Sequence, residues 1–365
     1  MNRGGTTHSI KNCVGIIYAG GDGKRLWPIS TSDFPKQIND VFTGTILVKE
    51  SYKRAREIFK KSDIYVVVTK NLFSKIFHLL DLPQEQYLIQ PRNADTAMAM
   101  GVAALCLEAE RPGCTAVTFY SDQTIAQTAR YYQAIRHGIA LAQTQKLLVT
   151  IGTFPTHLSS QFGHIKLGKK LDKHSYLADT FIEKPSPRLA TKFIKSKRYV
   201  WNTGTYIWQT SVLLKLFKKY APELFTKLSH LPPTACHHRF SRAMKTCFEQ
   251  VKNSSFDQTI SEKVSRLAVV VGDFHWEDIG NWKTVYHLSS KDRNGNVVLG
   301  VPPEHVIRIE SANTLVMSSK KIVSLIGVPN LIVIETKDSL LICSKEAALQ
   351  VKEAVKKLKD HDIEN

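Results

Sequence analysis

The chain reads Ile16-Ile17-Tyr18-Ala19-Gly20-Gly21-Asp22-Gly23-Lys24-Arg25-Leu26-Trp27-Pro28 near its start, and Pro35-Lys36-Gln37 follows. A short apolar run directly before a glycine-rich loop predicts a strand that ends in a phosphate-binding turn. Glycine lets backbone N–H groups turn toward an anion because no Cβ stands in the way, and Lys24, Arg25 and Lys36 add positive charge. This stretch therefore predicts a site for the phosphate groups of a nucleotide.

The spacing of this loop excludes the two commonest phosphate-binding loops. A Rossmann dinucleotide loop requires a third glycine at the position of Leu26, and a Walker A loop requires Ser or Thr at the position of Arg25. The remaining pattern is Gly-Gly-x-Gly-x-Arg-Leu followed by Pro-Lys. The alternative without function is a plain glycine turn with solvated basic side chains.

Composition indicates a globular protein that does not enter a membrane. The chain has 365 residues, of which 43% are hydrophobic, and this is enough for one large or two moderate cores. The tail at 1–12 is polar, and no later run approaches the ~18 apolar residues of a membrane span. Six scattered cysteines without a Cys-x-x-Cys pair indicate reduced thiols. We therefore expect a cytoplasmic protein without a membrane partner.

Two features of the sequence suggest other ligands. The net charge of +18 is typical of nucleic-acid-binding proteins, but the basic residues are dispersed in pairs such as Lys60-Lys61 and Lys218-Lys219, without a dense stripe. We therefore expect no specific nucleic acid partner. Cys236-His237-His238 is a candidate zinc cluster, but adjacent side chains point in different directions, so a surface loop is the preferred interpretation.

The first two-thirds of the chain alternates strand-like and helix-like segments. The strand-like runs are 14–18, 64–69, 87–90, 115–120 and 147–151. The segments between them carry helical spacing. This alternation predicts an α/β fold with a Rossmann-like, mostly parallel sheet and helices on both faces. Ligands bind such sheets at the carboxyl ends of the strands.

The last part of the chain has a different pattern. Short apolar runs occur at 297–299, 306–309, 314–317, 322–326, 331–334 and 340–343. Their spacing of ~8–10 residues predicts an all-β module, and the apolar repeat from Val351 to Leu358 predicts a final helix. We therefore expect a polar tail at 1–12, an α/β domain at 13–290 and an all-β domain with a terminal helix at 291–365.

Four further motifs carry polar side chains that suit phosphate, sugar or metal binding. They are Tyr120-Ser121-Asp122, Phe181-Ile182-Glu183-Lys184-Pro185, Trp201-Asn202-Thr203-Gly204 and Trp276-Glu277-Asp278-Ile279-Gly280-Asn281-Trp282. Asp122 closes an apolar strand, where a carboxylate can bridge a divalent cation to phosphate oxygens. Each motif also has a structural alternative: a turn or helix cap for Asp122, a strand exit for Glu183 and an aromatic corner for Asp278.

With these motifs together, the chain resembles the sugar-nucleotide pyrophosphorylases over nearly its whole length. Leu26-Trp27-Pro28-Ile29-Ser30 and Pro35-Lys36-Gln37 narrow the resemblance to the mannose-1-phosphate guanylyltransferase branch of that family. The resemblance implies a nucleotidyltransferase domain at 13–290 and a small left-handed β-helix-like domain at 291–365. It implies no isomerase domain of the kind that some relatives carry.

The resemblance also implies a role for each motif. The expected nucleotide-binding residues are Ala19, Gly20, Gly21, Gly23, Arg25, Gln90 and Thr96. The expected sugar-phosphate-binding residues are Gly163, Glu183, Lys184 and Asn202. Arg25, Lys36 and Lys184 are the expected catalytic cations, and Asp122 and Asp278 are the expected ligands of one Mg²⁺ ion. Residues 256–263 match a family pattern only at their ends and are assigned no role.

These roles imply a Mg²⁺-dependent transfer of GMP from GTP to α-D-mannose 1-phosphate, giving GDP-mannose and pyrophosphate. Such a reaction needs no protein nucleophile, because the sugar phosphate is already an anion. We expect the enzyme to act as a homodimer.

The loop that contains Gln90 departs from the family pattern, which carries Glu at this position. Guanine presents two hydrogen-bond donors, whereas a Gln side chain offers one acceptor and one donor, which also suits thymine or uracil. Another base or another hexose 1-phosphate is therefore an alternative. A non-catalytic relative that binds GDP-mannose is the second alternative.

Overall fold

The computed structural model describes residues 11–21, 23–31, 33–40, 44–232 and 242–361. Packing divides the chain into two compact units. The first unit contains the described chain up to Gly20, Ser51–Tyr120 and Ile125–Trp276. The second unit contains Gly21–Glu50, Ser121–Thr124 and the chain from Glu277 onward. The domain boundaries drawn from the sequence, at 12/13 and 290/291, stay a prediction.

Nine strands of the first unit form one sheet in the order β3-β2-β1-β4-β9-β6-β10-β8-β7, and β5 pairs with β11 in a separate small sheet. The strands are β1 (Cys13–Tyr18), β2 (Ile64–Thr69), β3 (Tyr87–Gln90), β4 (Thr115–Tyr120), β5 (Gln123–Ile125), β6 (Leu148–Thr153), β7 (His164–Lys170), β8 (Ser175–Ile182), β9 (Tyr199–Gln209), β10 (Leu267–Gly272) and β11 (Trp276–Asp278).

The apolar runs of the sequence become the buried centre of this sheet. Every residue of β1, β2 and β6 is buried, as expected for strands covered on both faces. β1, β2, β3 and β4 are mutually parallel, whereas β9 runs antiparallel to both β4 and β6. The predicted Rossmann-like α/β sheet is therefore present as a mixed sheet, and the carboxyl ends of β1 to β4 lie at one edge.

The helices follow the predicted alternation with the strands. The α-helices in the described residues are α1 (Leu47–Arg56), α2 (Lys70–Phe77), α3 (Asp95–Glu110), α4 (Thr128–Gln145), α5 (Pro187–Ser196), α6 (Thr210–Tyr220), α7 (Pro222–Ser229), α8 (Arg242–Glu249), α9 (Trp282–Leu288) and α10 (Val351–Asp360). Short 3-10 segments lie at Lys24–Leu26, Lys36–Ile38, Lys61–Asp63, Gln84–Gln86, Pro303–His305 and Lys345–Gln350, and a π turn lies at Asp257–Ser261. In the first unit, α4 packs on β6, β9 and β10, and α3 packs against α6 and α7.

The second unit contains a coil of short parallel strands. They are β12 (Val297–Leu299), β13 (Val306–Ile309), β14 (Leu315–Met317), β15 (Val323–Ile326), β16 (Leu331–Glu335) and β17 (Leu340–Ser344). β12, β14 and β16 stack in parallel, as do β13 and β15, and β17 closes the first stack in the antiparallel direction. Val297, Leu315 and Ile332 align in successive strands and are buried. The all-β module predicted from the apolar spacing, and its β-helix-like form implied by the family resemblance, are therefore confirmed.

The end of the glycine-rich loop belongs to the core of the second unit. Leu26 is buried in one hydrophobic cluster with Trp282, Val297 and Leu315. The indole Nε1–H of Trp282 donates a hydrogen bond to the carbonyl oxygen of Trp27, at 2.8 Å. The conformation of the predicted phosphate loop is therefore coupled to the packing of the β-helix-like module.

Three predictions from the sequence concern a membrane span, the state of the cysteines and the candidate zinc cluster. No helix in the described part of the chain has the length and apolarity to cross a membrane. Cys13, Cys114, Cys247 and Cys343 carry free thiols. Cys106 is disulfide-bonded, so the expectation of reduced thiols throughout is wrong at this residue. The candidate zinc cluster at 236–238 lies outside the described residues, as does most of the tail at 1–12.

We predict that the hydrogen bond from Trp282 stabilises the second unit measurably. Trp208 is the matched control, because it is equally buried but its indole N–H has no hydrogen-bond partner among the described residues. Trp282→Phe should lower the free energy of unfolding by about 1 kcal/mol more than Trp208→Phe, since it leaves a part-buried carbonyl without its donor. Urea unfolding followed by circular dichroism measures the difference. Equal losses in the two variants would contradict this role.

Candidate active site

The glycine-rich loop is held by the Pro35-Lys36-Gln37 motif. The side-chain Nε2–H of Gln37 donates to the carbonyl oxygen of Gly21, at 2.7 Å. A Cβ on Gly21 would lie 2.9 Å from that nitrogen, so the residue must be glycine if the contact is to remain undisturbed. The motif therefore fixes the loop backbone as well as supplying a charge.

Gly23 is required by both its conformation and its surroundings. Its φ of +61° lies in the left-handed region, and a Cβ there would come within 2.3 Å of the Ser30 hydroxyl. The same hydroxyl accepts a hydrogen bond from the backbone N–H of Lys36, at 3.0 Å. Ser30 therefore joins the loop to the segment that carries Lys36.

The ammonium group of Lys36 lies between two carboxylates. Its Nζ is 2.9 Å from Asp122 Oδ2 and 3.7 Å from Asp278 Oδ1, and it also donates to the carbonyl oxygen of Ile279, at 3.0 Å. The Lys36 side chain is only 8% exposed. Burial by itself would lower the pKa of Lys36, but the charges of Asp122 and Asp278 outweigh burial and raise it. The side chain is therefore a buried, fully charged cation.

The backbone brings the two acids to this cation. Asp122 is the second residue after β4, and its carbonyl oxygen accepts a hydrogen bond from the N–H of Ile279, at 2.9 Å. A Cβ on Gly280 would lie 3.3 Å from Asp278 Oδ2 and 3.7 Å from Arg25 Nη2. The second unit thus collects two acids and two cations, Arg25 and Lys36, from segments far apart in sequence. We call Arg25, Lys36, Asp122 and Asp278 the charge cluster.

The donor set of the charge cluster suits a divalent cation. Mg²⁺ prefers oxygen ligands and is commonly bound through one or two carboxylates together with substrate phosphates. Asp122 and Asp278 already surround one cation, the Lys36 ammonium. These two residues could therefore hold such an ion.

In the first unit, predicted nucleotide-binding residues lie at the carboxyl edge of β1, β2 and β3. The N–H of Ala19 donates to the carbonyl oxygen of Val67, at 2.9 Å, and the space beside Gly20 is open apart from Thr69 at 4.0 Å. Gln90 ends β3 opposite Thr69 in the strand register. Gln90 is buried, and its Nε2 has no hydrogen-bond partner among the described residues.

Thr96 has a different position from the other predicted nucleotide-binding residues. It lies in the first turn of α3, and its hydroxyl oxygen accepts a hydrogen bond from the backbone N–H of Phe256, at 2.8 Å. This bond fixes the segment that leads into the π turn. The nucleotide-binding role of Thr96 stays a prediction.

The predicted sugar-phosphate residues come together in the first unit. A Cβ on Gly163 would lie 2.8 Å from Glu183 Oε2, so the absence of a side chain there makes room for this carboxyl group. Lys184 adopts a positive φ of 47°, and its Nζ lies 3.0 Å from Glu183 Oε1. The backbone N–H of Asn202 donates to the carbonyl oxygen of Gly163, at 2.8 Å.

A second acid faces this group. Asp257 Oδ1 accepts hydrogen bonds from Asn202 Nδ2, at 2.8 Å, and from the Tyr206 hydroxyl, at 2.6 Å. Burial and then the charge of Asp257 raise the pKa of Glu183 to about 7, although Lys184 opposes the shift. Burial raises the pKa of Asp257 as well. The two acids therefore resist carrying two negative charges at once.

Sequence reasoning missed several residues that support the site. They are Ser30 and Gln37 in the second unit and Tyr206, Asp257 and Glu262 in the first. The signal for two of them was present, since Asp257 and Glu262 stand at the matching ends of the 256–263 segment. Only the structure shows that Glu262 Oε1 accepts a hydrogen bond from the N–H of Glu183, at 2.8 Å.

Two family models match the chain. The Nucleotidyl transferase model covers residues 14–295. The MannoseP isomerase/GMP-like beta-helix domain model covers residues 304–358. The matches include the sheet of the first unit and most of the parallel strands of the second, and they agree with the fold described above.

Three known proteins illustrate the similarity. The mannose-1-phosphate guanylyltransferase RfbM of Salmonella typhimurium is 28% identical over 355 residues, which are 95% of this chain and 72% of that protein. The xanthan biosynthesis protein XanB of Xanthomonas campestris pv. campestris is 29% identical over 363 residues, 96% of this chain and 74% of that protein. A crystal structure from Thermus thermophilus, described as a mannose-1-phosphate geranyltransferase, matches with a TM-score of 0.83 and 26% identity, covering 95% of this chain and 99% of that one.

We predict that Glu183 makes stability depend on pH. Its pKa is about 7 in the folded chain, against an ordinary value of 4.5, so between these values the folded chain retains a proton that the unfolded chain has lost. The wild-type free energy of unfolding should therefore fall as pH rises from 4.5 to 7. Glu183→Gln should remove this contribution, which is on the order of 3 kcal/mol. Urea unfolding at several pH values measures it.

The control for this prediction is Glu249→Gln, which alters an exposed glutamate. The difference in free energy of unfolding between variant and wild type is taken at each pH, and only its change with pH is compared, because contacts that do not titrate contribute equally at every pH. A difference that does not vary between pH 4.5 and 7 would show that Glu183 is not strained by burial.

Proposed function

Because the chain belongs to the nucleotidyl transferase family, we propose that it transfers GMP from GTP to α-D-mannose 1-phosphate, giving GDP-mannose and pyrophosphate. Relatives over some 95% of the chain are named mannose-1-phosphate guanylyltransferases. The chain is a nucleotidyltransferase, and the base and the sugar are the proposed part.

The observation that carries this proposal is the charge cluster. Its two cations follow the glycine-rich loop in sequence, Asp122 comes soon after β4, and Asp278 is the last residue of β11. The carboxyl ends of parallel strands such as β1 and β4 are where a triphosphate is expected on such a sheet. A set of this kind suits transfer of a nucleotidyl group because the reaction moves negative charge between oxygen atoms. It also argues against a non-catalytic relative, which would need only to bind the product.

In the proposed reaction, the sugar phosphate oxygen attacks the α-phosphorus of GTP and pyrophosphate leaves. The protein must align the two phosphates and neutralise their charge, and it need not form a covalent intermediate. The backbone of Gly20, Gly21 and Gly23 together with Arg25 would hold the leaving β- and γ-phosphates. Lys36 would supply positive charge at the α-phosphate.

Mg²⁺ is part of the proposal. Asp122 and Asp278 would hold the ion, since they fit its preference for carboxylate oxygens. When bound, the ion would supply further positive charge to the phosphate oxygens. The contribution of the chain is to hold both carboxylates in place through the backbone bonds of Ile279 and Gly280.

The first unit would bind the sugar phosphate. Lys184 would bind its phosphate, and Glu183 would accept hydrogen bonds from hydroxyl groups of the sugar. Gly163 would let the sugar approach the carboxyl group of Glu183. Asn202 belongs to the same group by position, since its backbone N–H donates to the carbonyl oxygen of Gly163.

We propose guanine as the base of the nucleotide substrate, and thymine or uracil is the alternative. The buried Gln90 amide has a donor available for a ligand, which also suits the O4 oxygen of thymine or uracil. We propose that GTP is preferred and that loop backbone groups carry most of the discrimination. We further propose that the enzyme works in the cytoplasm as a homodimer, as expected from the sequence.

The test is a pyrophosphate-release assay across nucleoside triphosphates and hexose 1-phosphates, with and without a chelator. We predict the highest rate for GTP with mannose 1-phosphate and loss of activity on chelation. Asp278→Asn and Asp122→Asn should each lower turnover about 100-fold or more. Asp122→Asn should also lower the melting temperature, because it leaves the buried Lys36 ammonium with a weaker partner.

The control is Asp338→Asn, which makes the same charge change at an exposed position of the second unit. It should retain wild-type turnover. Full activity of Asp278→Asn, or full activity after chelation, would remove Asp278 or the metal from the mechanism.

We predict that Gln90→Glu sharpens the choice of base. A carboxylate accepts from the donors of guanine but cannot donate to O4 of a pyrimidine, so GTP use should stay similar or improve and any use of dTTP or UTP should fall about 10-fold. Gln84→Glu, at an exposed nearby position, is the matched control. If the wild-type enzyme prefers dTTP or UTP to GTP, the guanylyl assignment fails and only the reaction class stands.

A further inference from the structure

Asn202 has its whole hydrogen-bonding capacity occupied by the protein. Its Oδ1 accepts from the Thr150 hydroxyl, at 2.6 Å, and from the backbone N–H of Gly204, at 3.2 Å. Its Nδ2 donates to Asp257 Oδ1, at 2.8 Å, and to the Tyr206 hydroxyl, at 3.1 Å. A side-chain amide has two donor hydrogens and two acceptor lone pairs. None of them remains for a sugar.

The outermost polar group of this network is Asp257. Tyr206 and Asn202 are buried, whereas Asp257 is only partly buried. Asn202 and Tyr206 both donate to the same oxygen, Oδ1, and the Tyr206 hydroxyl in turn accepts from Ser261, at 2.8 Å. The carboxylate is therefore fixed in orientation through Oδ1, and no hydrogen bond from the described residues reaches the second oxygen, Oδ2.

The π turn connects Asp257 to Glu183. The N–H of Glu262 donates to the carbonyl oxygen of Asp257, at 2.9 Å, and this i to i+5 bond is typical of π turns, which occur often at functional sites. Glu262 then accepts from the N–H of Glu183. One short segment therefore supplies Asp257, whose charge acts on Glu183, and Glu262, which holds the backbone of Glu183.

We propose that Asp257 binds the sugar directly, with its Oδ2 and the carboxyl group of Glu183 accepting hydrogen bonds from two hydroxyl groups of the same hexose ring. In this arrangement Asn202 is a positioning residue, which orients Asp257 and does not touch the ligand. The inference rests on the proposed function, because it concerns the sugar-phosphate substrate.

The chemistry of a hexose explains why Glu183 and Asp257 occur in one site, although burial and repulsion disfavour their charged forms. Burial and then the charge of Asp257 raise the pKa of Glu183, so this carboxyl group retains its proton more readily than an exposed glutamate does. Sugar hydroxyls can donate to a carboxylate and accept from a protonated carboxyl group. A hexose therefore satisfies the pair in either protonation state, and an aliphatic phosphate without hydroxyl groups does not.

The test is Asp257→Asn, which is isosteric. Its amide oxygen can take the place of Oδ1 and keep the bonds from Asn202 and Tyr206, while the ligand-facing atom changes from an acceptor to a donor. We expect the KM and the calorimetric Kd for mannose 1-phosphate to rise about 10- to 100-fold, with the KM for GTP unchanged. The melting temperature should stay the same or rise, because the repulsion between the two acids is relieved. Asp179→Asn, an equal charge change at an exposed position, should alter none of these values.

Deoxy analogues of mannose 1-phosphate distinguish a direct contact between Asp257 and the sugar from an indirect, structural role of Asp257. In the wild type, removal of the hydroxyl that Asp257 binds should weaken binding. In Asp257→Asn the same removal should cause no further loss, because the partner is already changed. Tyr206→Phe, which removes only a supporting hydroxyl, should weaken binding of all analogues by the same factor.

An unchanged Kd for mannose 1-phosphate in Asp257→Asn would overturn the inference. The inference would also be overturned if Asp257→Asn weakened the binding of mannose 1-phosphate and of every deoxy analogue by the same factor. This is the result expected of a purely structural residue. These outcomes leave the proposed function intact if the wild type still releases pyrophosphate. Conversely, if the wild type has no turnover with mannose 1-phosphate but binds another hexose 1-phosphate, the proposed function fails and the same binding comparison with that sugar decides the role of Asp257.

Discussion

The buried ammonium of Lys36 is the constraint on which the second unit depends. An amino group with so little exposure stays charged only where carboxylates and a carbonyl oxygen replace its water. Asp122 and Asp278 meet this need from segments that are more than 150 residues apart in sequence. This explains why 21–50, 121–124 and the chain from Glu277 pack as one unit although they are not contiguous.

The arrangement of charged side chains differs between the two units. In the charge cluster, the carboxylates of Asp122 and Asp278 stabilise the charge of Lys36, which lies between them. Around Glu183 the acids accumulate, and only the half-exposed Lys184 offsets them. A site of the first kind suits phosphate groups, and a site of the second kind suits neutral ligands rich in hydroxyl groups. The proposed division of roles between the units is consistent with this difference.

Much of the fold could be predicted from the sequence because it depends on local patterns. The runs at 64–69, 87–90, 297–299 and 306–309 are strands with the predicted ends, since apolar periodicity and turn residues act over a few residues. The antiparallel course of β9 and the disulfide at Cys106 depend on tertiary contacts and were not predicted. In the candidate site, acids and bases were found by motif, whereas Asp257 was not, because its importance comes from a bond to Asn202, 55 residues away in sequence.

The packing of Leu26 among the β-helix strands limits how this architecture can change in evolution. A loop that handles phosphate would usually vary independently of a module at the other end of the chain. Here an exchange of the C-terminal module by recombination would replace the side chains of Val297 and Leu315, against which Leu26 is buried. We therefore expect loop and module to be inherited together, so that lineages with a new β-helix module also show matching changes at residues 26–30.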